Sequence, residues 1–127
     1  MGGPAETLEQ VRAICLALPE AEEKEAWGMP TFRVRGKLFA HFADNHHDDG
    51  RVALWLKPEP GARDLLVEAA PERFFVPAYV GPRGWVGLRV DGEDGEVDWD
   101  EVVDLVEDSW RQIAPKRVVA AFDSARS

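Results

Sequence analysis

The chain has 127 residues, 45% of them hydrophobic and 31% charged, with one cysteine and a formal net charge of −9. That length specifies a single domain, residues 1–127 with a core over about 8–122, large enough to bury its own interior, and a lone cysteine excludes an intrachain disulfide. The charge is uneven, −4 over residues 1–30, +2 over 31–89 and −7 over 90–127, so nucleic acid would be repelled at long range and any such partner must be met by a local basic patch.

In chain order, Thr7-Leu8-Glu9-Gln10 has the form of a capping box, and Leu8, Val11, Cys15 and Leu18 follow at helical spacing up to Pro19. Cys15 lies on that apolar stripe and is expected as a buried small hydrophobe. Residues 20–25 form an acidic connector, a solvated surface run, and Gly28-Met29-Pro30 breaks the chain. Three strands follow, over 31–35, 38–42 and 52–57, joined by a Gly36-Lys37 turn and a polar loop over 44–50. Short connections make them antiparallel. In the second, alternation puts Leu38, Ala40 and Phe42 on one face and Phe39 and His41 on the other.

Pro58 and Pro60 start a short helix over 62–69 that Pro71 ends. Residues 74–80, interrupted by Pro77, suit an edge or bulged strand. After a turn at 81–84, residues 85–90 alternate as a fifth strand. Asp98 caps the best-patterned helix, in which Trp99, Val102, Val103, Val106, Trp110 and Ile113 recur on one stripe. Pro115 opens a short terminal helix over 116–122. The expected fold class is α+β, an antiparallel five-stranded sheet with helices packed on it, in the order α-βββ-α-ββ-αα.

Chemistry-bearing motifs are sparse. No nucleophile elbow, phosphate-binding glycine loop or zinc-binding His pair occurs, so no catalytic residue, metal or cofactor is expected. His46-His47-Asp48-Asp49 lacks the second, separated ligand pair that zinc sites use and reads as a solvated loop tip. Asp100, Asp104 and Asp108 recur at four-residue spacing as a solvated helix face, or an acidic docking surface for a basic partner. The outward face of the sheet differs. Alternation places Arg33, Arg35, Phe39, His41, Trp55, Lys57, Trp85 and Arg89 on one surface, and Lys37 and Arg83 at hairpin tips. Aromatic rings interleaved with cations are what base-stacking platforms use. The same surface could instead be covered by a helix or a second copy of the chain, with the tryptophans as core. No apolar run reaches the ~18 residues of a membrane span, and residues 1–10 lack the basic-then-apolar order of a signal peptide. The expectation is a cytoplasmic protein with no membrane partner.

Trp27-Gly28-Met29-Pro30-Thr31-Phe32, Gly36-Lys37-Leu38-Phe39-Ala40, residues 54–57, Arg73-Phe74-Phe75, Tyr79, Gly84-Trp85-Val86, Ser109-Trp110 and Ala114-Pro115-Lys116, taken in order and spacing, resemble the MmcQ/YjbR-like family of small bacterial proteins. The resemblance implies a fold similar to that of type III secretion chaperones, and the family is commonly labelled DNA-binding. Carried onto this chain, its wings would be the turns around Gly36-Lys37 and 81–84. The leading expectation is therefore a non-enzymatic protein that binds DNA, with Arg33, Arg35, Lys37, Trp55, Lys57, Arg83, Trp85 and Arg89 as the contact residues. The alternative is a chaperone-like interaction module that uses the same face for a protein partner or a second copy of itself. A third reading, a small-molecule binder or enzyme with a pocket around His41, Tyr79 and Trp85, has no motif behind it.

Overall fold

The computed structural model describes residues 4–45, 50–91 and 97–126. Four helices, α1 (Pro4–Leu16), α2 (Ala62–Ala69), α3 (Trp99–Ile113) and α4 (Lys116–Arg126), accompany six strands: β1 (Ala21–Ala26), β2 (Met29–Val34), β3 (Lys37–Asp44), β4 (Val52–Leu56), β5 (Phe74–Phe75) and β6 (Val86–Arg89). The strands form one sheet in the order β1-β2-β3-β4-β6-β5, with every neighbouring pair antiparallel. The α+β class holds, with a sixth strand that the expected order lacks. No helix among the described residues is long and apolar enough to cross a membrane.

The extra strand is the acidic run. Ala21–Ala26 pairs along its whole length with Met29–Val34, and its four central residues, Glu22 to Glu25, are all exposed. A sheet edge offers unpaired backbone groups to other chains, and a row of charges there discourages such pairing. Composition disguised the strand as a connector because the edge is where a strand can be almost wholly charged. The two residues between these strands, Trp27 and Gly28, have φ of 56° and 75°, the signature of a tight hairpin turn matching the sheet's twist. The next hairpin repeats the device at Arg35 and Gly36, φ 52° and 80°, one residue earlier than the expected Gly36-Lys37 turn.

The helices cover one face of the sheet. Val11 and Cys15 of α1, Val102, Val106 and Trp110 of α3 and Val118 of α4 meet Phe32, Val34, Phe42, Leu54, Leu56, Val86, Leu88 and Val90 in a single core. Burial, and then the nearby Glu23 charge, push the Cys15 thiol well above its ordinary range, which fits an inert packing role. Helix α1 begins a turn before the expected start, at Pro4, so Thr7 lies inside it and the capping box is not formed. The α3 cap is as expected: the Asp98 side chain accepts the Glu101 N–H at 3.2 Å. Helix α4 runs a turn beyond residue 122, to Arg126.

Alternation fails at one place in β3. The register slips between Phe32 and Arg33, pairing Phe32 with Ala40 and Arg33 with Leu38. Phe39 is the extra residue of a β-bulge. It turns inward into the helix-side core, while Leu38 joins the opposite face. Both are the reverse of strict alternation. Ser109 of α3 stabilises the kink: its hydroxyl donates to the Phe39 carbonyl at 2.5 Å and accepts the Lys57 N–H at 2.9 Å.

Candidate ligand-binding site

The sheet face away from the helices carries a second apolar layer. Ala43, Ala53, Trp55 and Trp85 are buried there, packed by Met29, Leu38, Phe75 and Val80. One cross-strand row organises it: Lys24, Thr31, His41, Trp55, Gly87 and Phe75 stand opposite one another across all six strands. Gly87 is required in that row because the Phe75 ring lies directly over it. A Cβ at residue 87 would sit 2.4 Å from Phe75 Cζ. The Arg51 guanidinium covers the same ring at 4.1 Å.

Trp55 and Trp85 do occupy this face, but they are 3% and 6% exposed. Neither presents an open ring for stacking. What covers the face is the chain itself, through the segment 76–84. Successive turns fold it back, with Gly81 N–H donating to the Pro77 carbonyl at 3.0 Å and Arg83 N–H to the Val80 carbonyl at 3.0 Å. From α2, Arg63 donates to the Gly81 carbonyl and anchors the segment from the side.

Among the described residues, the exposed aromatics of this face are Trp27, which the sequence reading did not name as a contact, and Tyr79, which it named only in the small-molecule reading. Trp27, at the β1–β2 turn, is 71% exposed, and Tyr79, in the folded-back segment, is 72% exposed. Between them opens a pocket of about 570 Å³, lined by Trp27, Leu38, His41, Trp55, Tyr79, Val80 and Arg83. Trp27 and His41 have ring centroids 5.6 Å apart at 32°, and His41 meets Trp55 edge-on at 4.6 Å and 63°. The three rings thus run as a ladder from the rim to the buried layer.

Trp27 and Tyr79 share a second property. Their φ values are 56° and 63°, in the left-handed region that L-residues with bulky side chains avoid. Such a conformation costs about 1–2 kcal/mol, and strain of this kind gathers at ligand clamps and active sites. The sequence held a partial signal for Trp27, since a residue before Gly28 between two strand-length runs marks a tight hairpin. Tyr79 entered the sequence reading only through the small-molecule pocket around His41, Tyr79 and Trp85; the structure places His41 and Tyr79 in one pocket and leaves Trp85 out of its lining.

The cations fall into distinct groups. Arg83 is exposed, lines the pocket and has no ion-pair partner among the described residues. Lys37 is exposed at the start of β3. Arg33 is half-buried, its Nε donating to Thr31 Oγ1 at 3.2 Å. Arg35 pairs with Glu20, and that hydrogen bond holds the Glu20 carboxyl below its ordinary range. Arg89 pairs with Asp91 at 3.0 and 3.1 Å. Lys57 is half-buried at the end of β4, its N–H held by Ser109. Of the eight expected contact residues, the pocket brings together Trp55 and Arg83. Trp85 lies in the buried layer, Lys37 stands at its own hairpin, and Arg35 and Arg89 are engaged by carboxylates. The acids Asp100 and Asp104 are exposed on α3, on the helix side of the sheet.

Among the described residues no group of three or more His, Cys, Asp or Glu side chains is placed to hold a metal. His46, His47, Asp48 and Asp49 lie outside the described residues.

The chain is similar in fold to the crystal structure of Deinococcus radiodurans protein DR2400, a DUF419 domain. The TM-score is 0.67 at 22% identity, over 87% of this chain and 80% of that one. No curated protein matches the chain. The YjbR family model matches residues 16–112, well over half the length, and the chain belongs to the YjbR family.

Proposed function

We propose that this protein is a non-enzymatic binding domain for nucleic acid, DNA in the first instance. The bound strand engages the sheet face away from the helices. The observation that carries the reading is the pocket between Trp27 and Tyr79, with Arg83 at its rim. Two exposed rings beside a guanidinium that has no ion-pair partner among the described residues match the two halves of a nucleotide, a flat base and an anionic phosphate. The contact set therefore moves from Trp55 and Trp85 to Trp27 and Tyr79. It keeps Arg83 and Lys37, and Arg33 more weakly.

The net charge of −9 limits this interface to a few phosphates. With Arg83 and Lys37 as the principal contacts, the log–log salt slope on a single strand is roughly −1.4, far shallower than for a strongly basic DNA-binding domain. Arg83→Ala lowers affinity, whereas Arg35→Ala has little effect because Arg35 is already paired with Glu20. Fluorescence anisotropy at low salt, with labelled single- and double-stranded DNA, tests the reading. Absence of any complex with either form refutes it.

The chaperone-like reading draws support from the apolar exposure of Trp27, Tyr79 and Val76, which a protein partner could cover. Its original driving surface, Trp55 and Trp85, is already buried within one chain. Light scattering after size exclusion distinguishes the two readings: a tight dimer that masks Trp27 from quencher favours interaction, and a monomer favours the nucleic-acid reading.

A further inference from the structure

We propose that the Trp27–Tyr79 pocket takes one unstacked nucleobase together with its phosphate, so that the ligand is an unpaired nucleotide and not an intact duplex. This rests on the nucleic-acid reading above and narrows it to a ligand class.

The lining restricts the ligand first. Of the seven described residues that line it, three are Trp or Tyr, His41 is a fourth ring, Leu38 and Val80 are aliphatic, and Arg83 alone is charged. Aromatic cages also bind quaternary ammonium groups. Among the described residues no carboxylate lines the pocket, and Arg83 would repel a cation, so the geometry selects a planar group that is neutral or anionic. The volume of about 570 Å³ lies within the range of small-ligand sites and is too large to be filled by a phosphate alone.

Shape restricts it next. The ring surfaces belong to a concavity whose floor is the His41–Trp55 pair, both buried, and whose rim is two exposed side chains. A base stacked in a duplex offers only its edge to a protein. To lie face-on against the exposed rim rings, Trp27 and Tyr79, a base must leave the stack, which costs least where it has no partner. A duplex also carries one charge per 1.7 Å, and among the described residues the exposed cations of this face with no ion pair are few: Arg83 at the pocket, Lys37 at the next hairpin and Lys24 on the edge strand. One nucleotide needs no more than Arg83.

Backbone conformation gives the third argument. Both rim aromatics occupy left-handed φ, at positions where Gly or Asn would fit without strain. Neither ring is needed to fill the core, since both are more than two-thirds exposed. The backbone at Trp27 is that of its hairpin turn, as at Arg35; what a stacking ligand accounts for is an exposed aromatic ring, where Gly or Asn would fit, at both positions lining one pocket.

Competition anisotropy tests this with a labelled oligothymidylate, a blunt hairpin duplex, deoxyadenosine 5′-monophosphate, deoxyadenosine and inorganic phosphate. The single strand is expected to bind at least tenfold more tightly than the duplex. Trp27→Asn and Tyr79→Asn should each weaken it by roughly 5- to 100-fold, the worth of one base–aromatic stack, with melting temperatures close to that of the parent chain. The monophosphate should compete and quench Trp fluorescence, inorganic phosphate should not, and Arg83→Ala should weaken the monophosphate but not the nucleoside. Duplex bound as tightly as single strand, and insensitive to Trp27→Asn, overturns this inference and leaves DNA binding standing. Monophosphate binding without binding of any oligonucleotide keeps the pocket's chemistry and overturns the nucleic-acid reading. Binding of none of the probes overturns both.

Discussion

Trp27→Asn separates the cost of the Trp27 backbone from the value of its ring. The left-handed conformation, φ 56°, costs a tryptophan about 1–2 kcal/mol, and asparagine removes most of that. Against it stands the lost burial of the ring. At 71% exposure Trp27 buries roughly 70 Å² of an aromatic surface of up to ~250 Å², worth about 1.8 kcal/mol at 25 cal/mol per Å². The two contributions nearly cancel, and the expected stability change is within about 1 kcal/mol of zero, or a few degrees in Tm. Trp55→Ala, at 3% exposure, should by contrast lose about 3–5 kcal/mol. Urea denaturation followed by circular dichroism measures both. A second signature depends only on backbone: Trp27→Gly should resemble Trp27→Asn, and Trp27→Val should be the least stable of the three, because a β-branched residue tolerates positive φ worst. A Trp27→Asn loss approaching that of Trp55→Ala would show that the ring is a packing residue, and the argument from strain would fall.

Three further outcomes test the frame behind the pocket. Ser109→Ala leaves the Phe39 carbonyl and the Lys57 N–H without the hydroxyl that joins them; it should cost about 2–3 kcal/mol in urea denaturation and loosen the bulge that turns Leu38 to the pocket. Gly87→Ala places a Cβ inside the Phe75 ring and should destabilise by about 1–3 kcal/mol. The double variant Gly87→Ala with Phe75→Ala should lose at least about 1 kcal/mol less than the sum of the single ones, since the obstacle is gone. Asp108 has its carboxyl held above the ordinary range by burial first, then by the charges of Glu59, Glu107 and Asp104. An acid whose folded pKa is raised opposes folding when ionised, so Asp108→Asn should stabilise by about 0.5 kcal/mol at neutral pH. That gain should vanish below about pH 4, where the unfolded carboxyl is protonated too; a gain that persists at pH 3 would refute the electrostatic explanation.

Most of the helix layer was legible because its determinants are local and periodic. Asp98 and the stripe through Trp99, Val102, Val106 and Trp110 specify α3 without reference to the rest of the chain. The inward faces of β4 and β6 were equally plain, since Leu54 with Leu56 and Val86 with Leu88 alternate without interruption. Two errors have one cause each. Ala21–Ala26 was unreadable as a strand because a charged edge lacks the apolar period that identifies strands. Strict alternation gives Phe39 the wrong face because one bulge residue reverses the phase of every residue on its far side, and no residue in Leu38-Phe39-Ala40 advertises it.

The site itself was half legible for a related reason. Alternation correctly put His41, Trp55 and Trp85 on one face, yet a face is only exposed if nothing folds over it. Segment 76–84 does, and it follows from two contacts distant in sequence, Phe75 opposite Gly87 and the Arg63 bond to Gly81, and one within the segment, the absence of a Cβ at Gly81, which would stand 2.5 Å from Val76 Cγ1. Once that cover is in place, the large rings of the strands become floor and the solvent-facing role passes to turn residues. Turn positions can hold a side chain clear of the sheet at the cost of left-handed backbone, which strand positions cannot do. Trp27 and Tyr79 hold such positions on opposite sides of the pocket, on a hairpin tip and a folded loop that the buried row from Thr31 to Phe75 keeps in register. For the ligand proposed above, a hydrogen-bonded sheet below and two turn-fixed backbone positions above would lower the ordering entropy that binding must overcome.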